Sequence, residues 1–139
     1  MATKIFVNLP VKDLNRSVEF WKSMGYRFNP KFTDETAACL VISDDIYSML
    51  LTHSKFREFT PMEKEITDAN QSTEVLTALS FDSREEVDRM MDRALKAGGS
   101  EARPAEDHGF MYGRSFNDPD GHIWELFWMD PAAANGPEA

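Results

Sequence analysis

The sequence predicts an α+β fold made of two βαβββ modules, and three observations carry that expectation. Runs of strand-like and helix-like periodicity occur in the order strand, helix, strand, strand, strand, once before residue 54 and again after residue 73. The landmarks of the two halves correspond in position, Asp13 with Asp82 at the helix starts and Gly25 with Gly98 at the helix ends. A strand–turn–strand signature at 115–127 then closes the second half. Each half alone would leave a sheet face bare, so the halves are expected to combine into one domain.

Ile5 to Val11 is a short, β-branched run, and Asp13 then offers an N-cap for a helix through about Met24, closed by Gly25. Leu14, Val18 and Trp21 recur at helical spacing and form its inward stripe. Tyr26, Phe28 and Phe32 alternate as a strand does, with Pro30 marking an edge or bulge. Ala37 to Ser43 is an apolar strand, Asp44 and Asp45 turn the chain, and Ile46 to about His53 form another strand. Periodicity fails between Ser54 and Thr73, a stretch long enough to be a module linker or a lid. Val75 to Phe81 restarts the pattern as a strand. Ser83-Arg84-Glu85-Glu86 reads as a capping box for a helix burying Val87, Met90, Met91, Ala94 and Leu95, and Gly98-Gly99 ends it. A short strand near Ala102 to Ala105 and the closing hairpin follow. Module one is therefore placed at about 4–53, module two at about 74–129, and a loose tail at 130–139.

Asp118-Pro119-Asp120-Gly121 has the residue preferences of a type I turn. With those four residues as the loop and no bulge, Asn117 pairs with His122, Phe116 with Ile123, Ser115 with Trp124 and Arg114 with Glu125. Alternation then puts Tyr112, Arg114, Phe116, Ile123, Glu125 and Phe127 on one face, and Met111, Gly113, Trp124, Leu126 and Trp128 on the other. An acid opposite a base on a largely apolar face is the first hint of a site.

Phe116-x-Asp118-Pro119-Asp120-Gly121-x-x-x-Glu125 closely resembles the last hairpin of the glyoxalase, bleomycin-resistance and extradiol-dioxygenase superfamily, the vicinal oxygen chelate proteins. The opening Leu9-Pro10-Val11-Lys12-Asp13-Leu14-x-x-Ser17-x-x-Phe20-Trp21-x-x-x-Gly25 matches as well, so the resemblance spans Ile5 to Met129. It implies that the modules form a curved, cup-like mixed sheet with helices outside, and that the protein is a homodimer. In metal-dependent relatives the concave sheet supplies one ligand from the first and last strand of each module. Carried over by position, these fall on Phe6, near Leu50, on Leu76 and on Glu125, and only Glu125 can bind a metal. His53 is the weak substitute, sharing a strand face with Met49 and Leu51, while His108 and His122 lie in loops. About three protein ligands are normally needed, so a divalent metal is possible but disfavoured, and no other cofactor is assigned.

What the cavity retains is Asn8, Tyr112, Arg114 and Glu125 among Phe6, Phe116 and Phe127. Arg114 and Glu125 admit two accounts: a cross-strand ion pair satisfying two half-buried charges, or a site in which Glu125 is the acid–base group while Arg114 and Tyr112 orient an anionic oxygen. The aromatic rings would stack a flat ligand. Two functions stand on this: a glyoxalase-like enzyme of unidentified reaction on a small organic substrate, related to lyases or dioxygenases, or a metal-free protein of the bleomycin-resistance type that sequesters a small-molecule ligand.

Composition narrows the partners. The chain has 139 residues and one cysteine, Cys39, which sits in an apolar strand as a structural thiol. A net charge of -9 argues against nucleic acid, which demands a basic footprint. No apolar run is of membrane-spanning length and Met1 to Lys4 lack the hydrophobic region of a secretion signal, so a cytoplasmic location is expected. No phosphate-binding glycine loop, Cys-x-x-Cys cluster or nucleophile elbow occurs.

Overall fold

The computed structural model describes residues 3–134. The chain divides into two units, Met1–Asp68 and Ala69–Ala139, the boundary falling inside the stretch where periodicity fails.

In the first unit, strand β1 (Ile5–Val11) leads into helix α1 (Leu14–Ser23), followed by β2 (Arg27–Asn29), a 3-10 turn at Pro30–Phe32, β3 (Ala37–Val41), β4 (Ile46–Thr52) and the short helix α2 (His53–Arg57). Asp13 caps α1 by accepting the Arg16 N–H at 3.1 Å, satisfying one of the helix's orphan donors. The face that α1 buries carries Leu14, Ser17, Phe20 and Trp21, while Val18 is only half buried. The sheet runs β1-β4-β3-β2, with β1 parallel to β4 and the other neighbours antiparallel. Every residue of β3 is buried, Cys39 among them, and burial pushes its thiol pKa above the ordinary value.

The second unit repeats the plan: β5 (Leu76–Ser80), α3 (Arg84–Lys96), β6 (Ser100–Asp107), β7 (Met111–Asn117) and β8 (Ile123–Met129), in the order β5-β8-β7-β6, again with only the β5–β8 pair parallel. Ser83 accepts the Glu86 N–H at 3.1 Å, and the Glu86 carboxylate reaches back to the Asp82 N–H at 3.1 Å, so the capping box forms one residue wider than its usual pattern. Val87, Met91 and Ala94 of α3 are fully buried with Leu79, Phe116, Trp124 and Leu126, whereas Met90 is half buried and Leu95 exposed. Each large aliphatic or aromatic side chain so buried contributes about 1.5–3 kcal/mol, which fixes α3 over one face of the sheet. The opposite face is the open one.

β6 is longer than the short strand expected, because two irregularities, between Glu101 and Arg103 and between Arg103 and Glu106, let it follow β7 for most of its length. Where a patternless tail is expected, Pro131–Ala134 form one turn of helix; 135–139 lie outside the described residues.

Candidate functional site

The geometry of the second unit's site is set by the turn before β8. Asp118 to Gly121 form the type I turn, the Gly121 N–H donating to the Asp118 carbonyl at 2.9 Å, and the Asp118 N–H donates to the His122 carbonyl at 3.0 Å. Gly121 has φ +88°, so a left-handed residue follows the turn. A type I turn splays the strands it joins, and one left-handed residue after it, a G1 bulge, restores their twist at the cost of one register step. The Asp118 carboxylate locks the loop, accepting the Asp120 and His122 N–H groups at 2.9 and 3.0 Å and the Trp124 indole N–H at 3.1 Å. Burial raises the pKa of this carboxyl, while His122 and those donors pull it the other way.

The register therefore differs from the bulge-free one. Asn117 pairs with Ile123, Phe116 with Trp124, Ser115 with Glu125 and Arg114 with Leu126. Arg114 does not face Glu125. A one-residue slip moves a strand's side chains to the other face relative to its partner, so Tyr112, Arg114 and Phe116 lie with Trp124, Leu126 and Trp128 under α3. There the Asp88 carboxylate accepts the Tyr112 hydroxyl at 2.6 Å and the Arg114 guanidinium at 3.2 Å, and Glu101 takes Arg114's other arm at 3.2 Å. Burial and the Asp88 charge together push the Tyr112 phenol pKa up. Phe116 is fully buried. These three residues belong to the helix-packed face of the second unit, away from Glu125.

The open face carries Met111, Gly113 and Ser115 of β7 beside Met129, Phe127 and Glu125 of β8, with Ala78 of β5 next to Glu125. Arg103 of β6 stands opposite Ser115. Its guanidinium reaches the Glu125 carboxylate at 3.1 Å and also contacts Glu106, whose other oxygen lies 3.1 Å from the His108 ring. A groove of about 240 Å³ opens here, lined by Arg103, Glu106, Gly113, Ser115, Glu125 and Phe127 among others. Glu125 keeps only 24% of its side chain exposed against 51% for Arg103, so the carboxylate forms the groove's wall and the guanidinium its rim. Of the residues expected from the sequence, Glu125 and Phe127 meet here, and Arg114 also borders the groove although its guanidinium is held by Asp88 and Glu101 on the other face. Arg103, Ser115 and Gly113 were not expected. The Asp-Pro-Asp-Gly motif with glycine in fourth place was the signal for the bulge, and hence for the face.

In the first unit, Phe6 and Asn8 lie on the exposed face of β1. Phe6 stacks on Tyr47 with centroids 4.7 Å apart and planes 10° from parallel, and the Asn8 amide donates to the Phe6 carbonyl. Leu50 is fully buried opposite Leu9; the residues facing the same way as Phe6 are Met49 and Leu51. His53 is the first residue of α2, since β4 ends at Thr52, so it has no place on the strand face.

A model of one protein family matches residues 5–126, nearly the whole of both units. The chain belongs to the glyoxalase/bleomycin resistance protein/dioxygenase superfamily. Among solved structures, a hypothetical protein from S. aureus is similar at 25% identity, with 92% of this chain and 95% of that one covered and a TM-score of 0.74. A glyoxalase-related enzyme from Fulvimarina pelagi (22% identity, 92% and 88% covered, TM-score 0.74) and the fosfomycin resistance protein FosX from Mesorhizobium loti (17%, 98% and 99%, TM-score 0.66) share the fold. No curated protein matches the sequence. The superfamily's metal does not fit these residues. The Phe6 and Leu76 side chains have no donor atom, the β5 side chains on the face of Glu125 are Leu76, Ala78 and Ser80, and no three His, Cys, Asp or Glu side chains converge among the described residues.

Proposed function

We propose that this superfamily member is a small-molecule enzyme that moves a proton next to a carbonyl group, with Glu125 as the base and Arg103 holding the oxyanion that forms. The observation that carries this is the Glu125–Arg103 pair at 3.1 Å on the wall and rim of the second unit's groove. In the step, the Glu125 carboxylate takes a proton from the carbon beside the carbonyl, the C–H electron pair becomes the C=C bond, and the carbonyl π pair moves onto oxygen. Arg103 then offers N–H donors to that oxygen, and Glu125 returns the proton to the same carbon, on either face, as the C=C pair forms the new C–H bond and the oxygen pair re-forms the carbonyl. Arg103 takes the role that the sequence assigns to Arg114. No step needs a metal ion.

The test is proton–deuterium exchange at the α-carbon of a panel of small aldehydes, ketones and keto acids, followed by NMR in D₂O with the metal content of the purified protein measured alongside. Exchange that is catalysed by the wild type, survives chelation and is lost in Glu125→Gln is the expected result. Exchange that persists in Glu125→Gln, or that requires one tightly held metal per chain, refutes the proposal. The second reading is a protein that sequesters its ligand unchanged, and the exposed Phe6–Tyr47 stack favours it as a platform for a flat molecule. Tight binding of an unmodified compound that is lost in Phe6→Ala and kept in Glu125→Gln would establish it instead.

A further inference from the structure

We propose that Ser115 is the oxygen-binding residue of the groove, and that the ligand is an uncharged carbonyl compound whose flat apolar substituent lies over Gly113 against Phe127. This rests on the function proposed above and narrows its substrate class.

Ser115 is only 1% exposed, and its hydroxyl has no hydrogen-bond partner among the described residues. A buried hydroxyl left in that state is a standing free-energy cost that an alanine would not incur. Its setting says what would satisfy it. Arg103 stands opposite Ser115 on one side and Glu125 on the other, and the ion pair between them spans the strand on which Ser115 sits. A carbonyl oxygen that enters between Arg103 and Glu125, parting their contact, meets the hydroxyl and the guanidinium while its α-carbon faces the carboxylate.

Charge decides the kind of carbonyl. Arg103 serves both Glu106 and Glu125, one cation to two carboxylates, so these three side chains together already carry an excess negative charge. A carboxylate ligand would add to it. A cation would have to displace Arg103, which is tethered at high effective concentration.

Two residues along β7 the surface turns apolar on the β8 side, while Glu106 stands opposite Gly113 on the β6 side. Gly113 faces Phe127, with Met111 beyond. A Cβ at Gly113 would meet nothing nearer than the Leu126 carbonyl at 3.7 Å and Phe127 Cβ at 4.0 Å, and Gly113 is not among the glycines with positive φ. Neither backbone conformation nor crowding calls for glycine there, and in a strand interior such a glycine marks the close approach of another group. The groove of about 240 Å³ is smaller than the roughly 300–1,000 Å³ of sites for drug-sized ligands, which suits a single ring.

Benzamide, benzoate and benzamidine share one shape and carry no charge, a negative and a positive charge, so they test the proposal directly by NMR titration of the full chain. Benzamide is expected to bind at least about tenfold more tightly than either ion, to weaken about tenfold in Ser115→Ala, as loss of one hydrogen bond implies, and to weaken in Gly113→Val. Ligand-free Ser115→Ala should melt at or above the wild-type temperature, since its hydroxyl has no partner to lose. Preference for either ion, absence of benzamide binding, unchanged affinity in both variants, or a lower melting temperature for Ser115→Ala overturns the inference. If α-proton exchange depends on Glu125 while its KM ignores both variants, this inference falls and the function proposed above stands; if exchange ignores Glu125, that function falls first.

Discussion

Gly121 is a residue at which two requirements coincide. Its φ of +88° is a conformation that side-chain-bearing residues adopt at a cost, and a Cβ there would lie 2.4 Å from the Asn70 side-chain oxygen and 3.0 Å from the Asn70 backbone nitrogen. Gly121→Ala should destabilise the second unit by on the order of 2 kcal/mol, read as a shift of the urea midpoint at constant slope; a shift indistinguishable from zero would show that the loop relaxes freely. Asp107 gives a pH signature. The bidentate Arg84 guanidinium, at 2.7 and 2.9 Å, and then the Gly109 N–H hold its pKa at about 2, below the ordinary 3.8. Because the folded-state value is the lower one, the contribution is fully present above 3.8 and is lost as pH falls through about 2. Wild type should therefore lose more thermal stability than Asp107→Asn across that window, and parallel losses would mean that the pairing does not persist in solution.

The strand pairings of the β7–β8 hairpin can be tested by coupling. Arg103 with Glu125 and Arg114 with Asp88 should each show a coupling energy of about 0.2–1 kcal/mol in double-mutant cycles, the range for part-exposed ion pairs, while Arg114 with Glu125 should be additive. Coupling between Arg114 and Glu125 would restore the bulge-free register. The two long helices α1 and α3, their N-caps and nearly all the strands were legible in the sequence, because the 3.6- and 2-residue periods and the capping residues are local signals, whereas the short α2 was not. That Glu125 and Phe127 share a strand face was legible for the same reason, their strand being strongly patterned. Arg114, Tyr112 and Phe116 were misplaced because both faces of β7 carry apolar side chains, so alternation alone did not say which face was which, and the bulge decided it. Arg103 was invisible: it acts from a strand with two irregularities and no apolar period. His53 was read one residue too far into a strand that ends where Thr52 caps α2 by accepting the Lys55 N–H.

At the scale of the whole chain, the two units share strand order and polarity, each with its one parallel pair joining the first strand to the last. No helix among the described residues is long and apolar enough to cross a membrane. The superfamily resemblance leads us to expect a homodimer, so sedimentation should give twice the chain mass of 15.9 kDa at micromolar concentration; a monomer throughout would contradict it.

The single left-handed residue after the β7–β8 turn has a consequence for heredity as well as for folding. Loss of one residue between Asp118 and His122 would leave a two-residue, bulge-free loop with Asp118 still opposite His122, so Ser115 would keep Glu125 and Arg114 would keep Leu126 as partners. Two descendants with identical strands and loops differing by that one residue would present the same chemistry to the same ligand, so the turn can shed its left-handed residue without rewriting the groove.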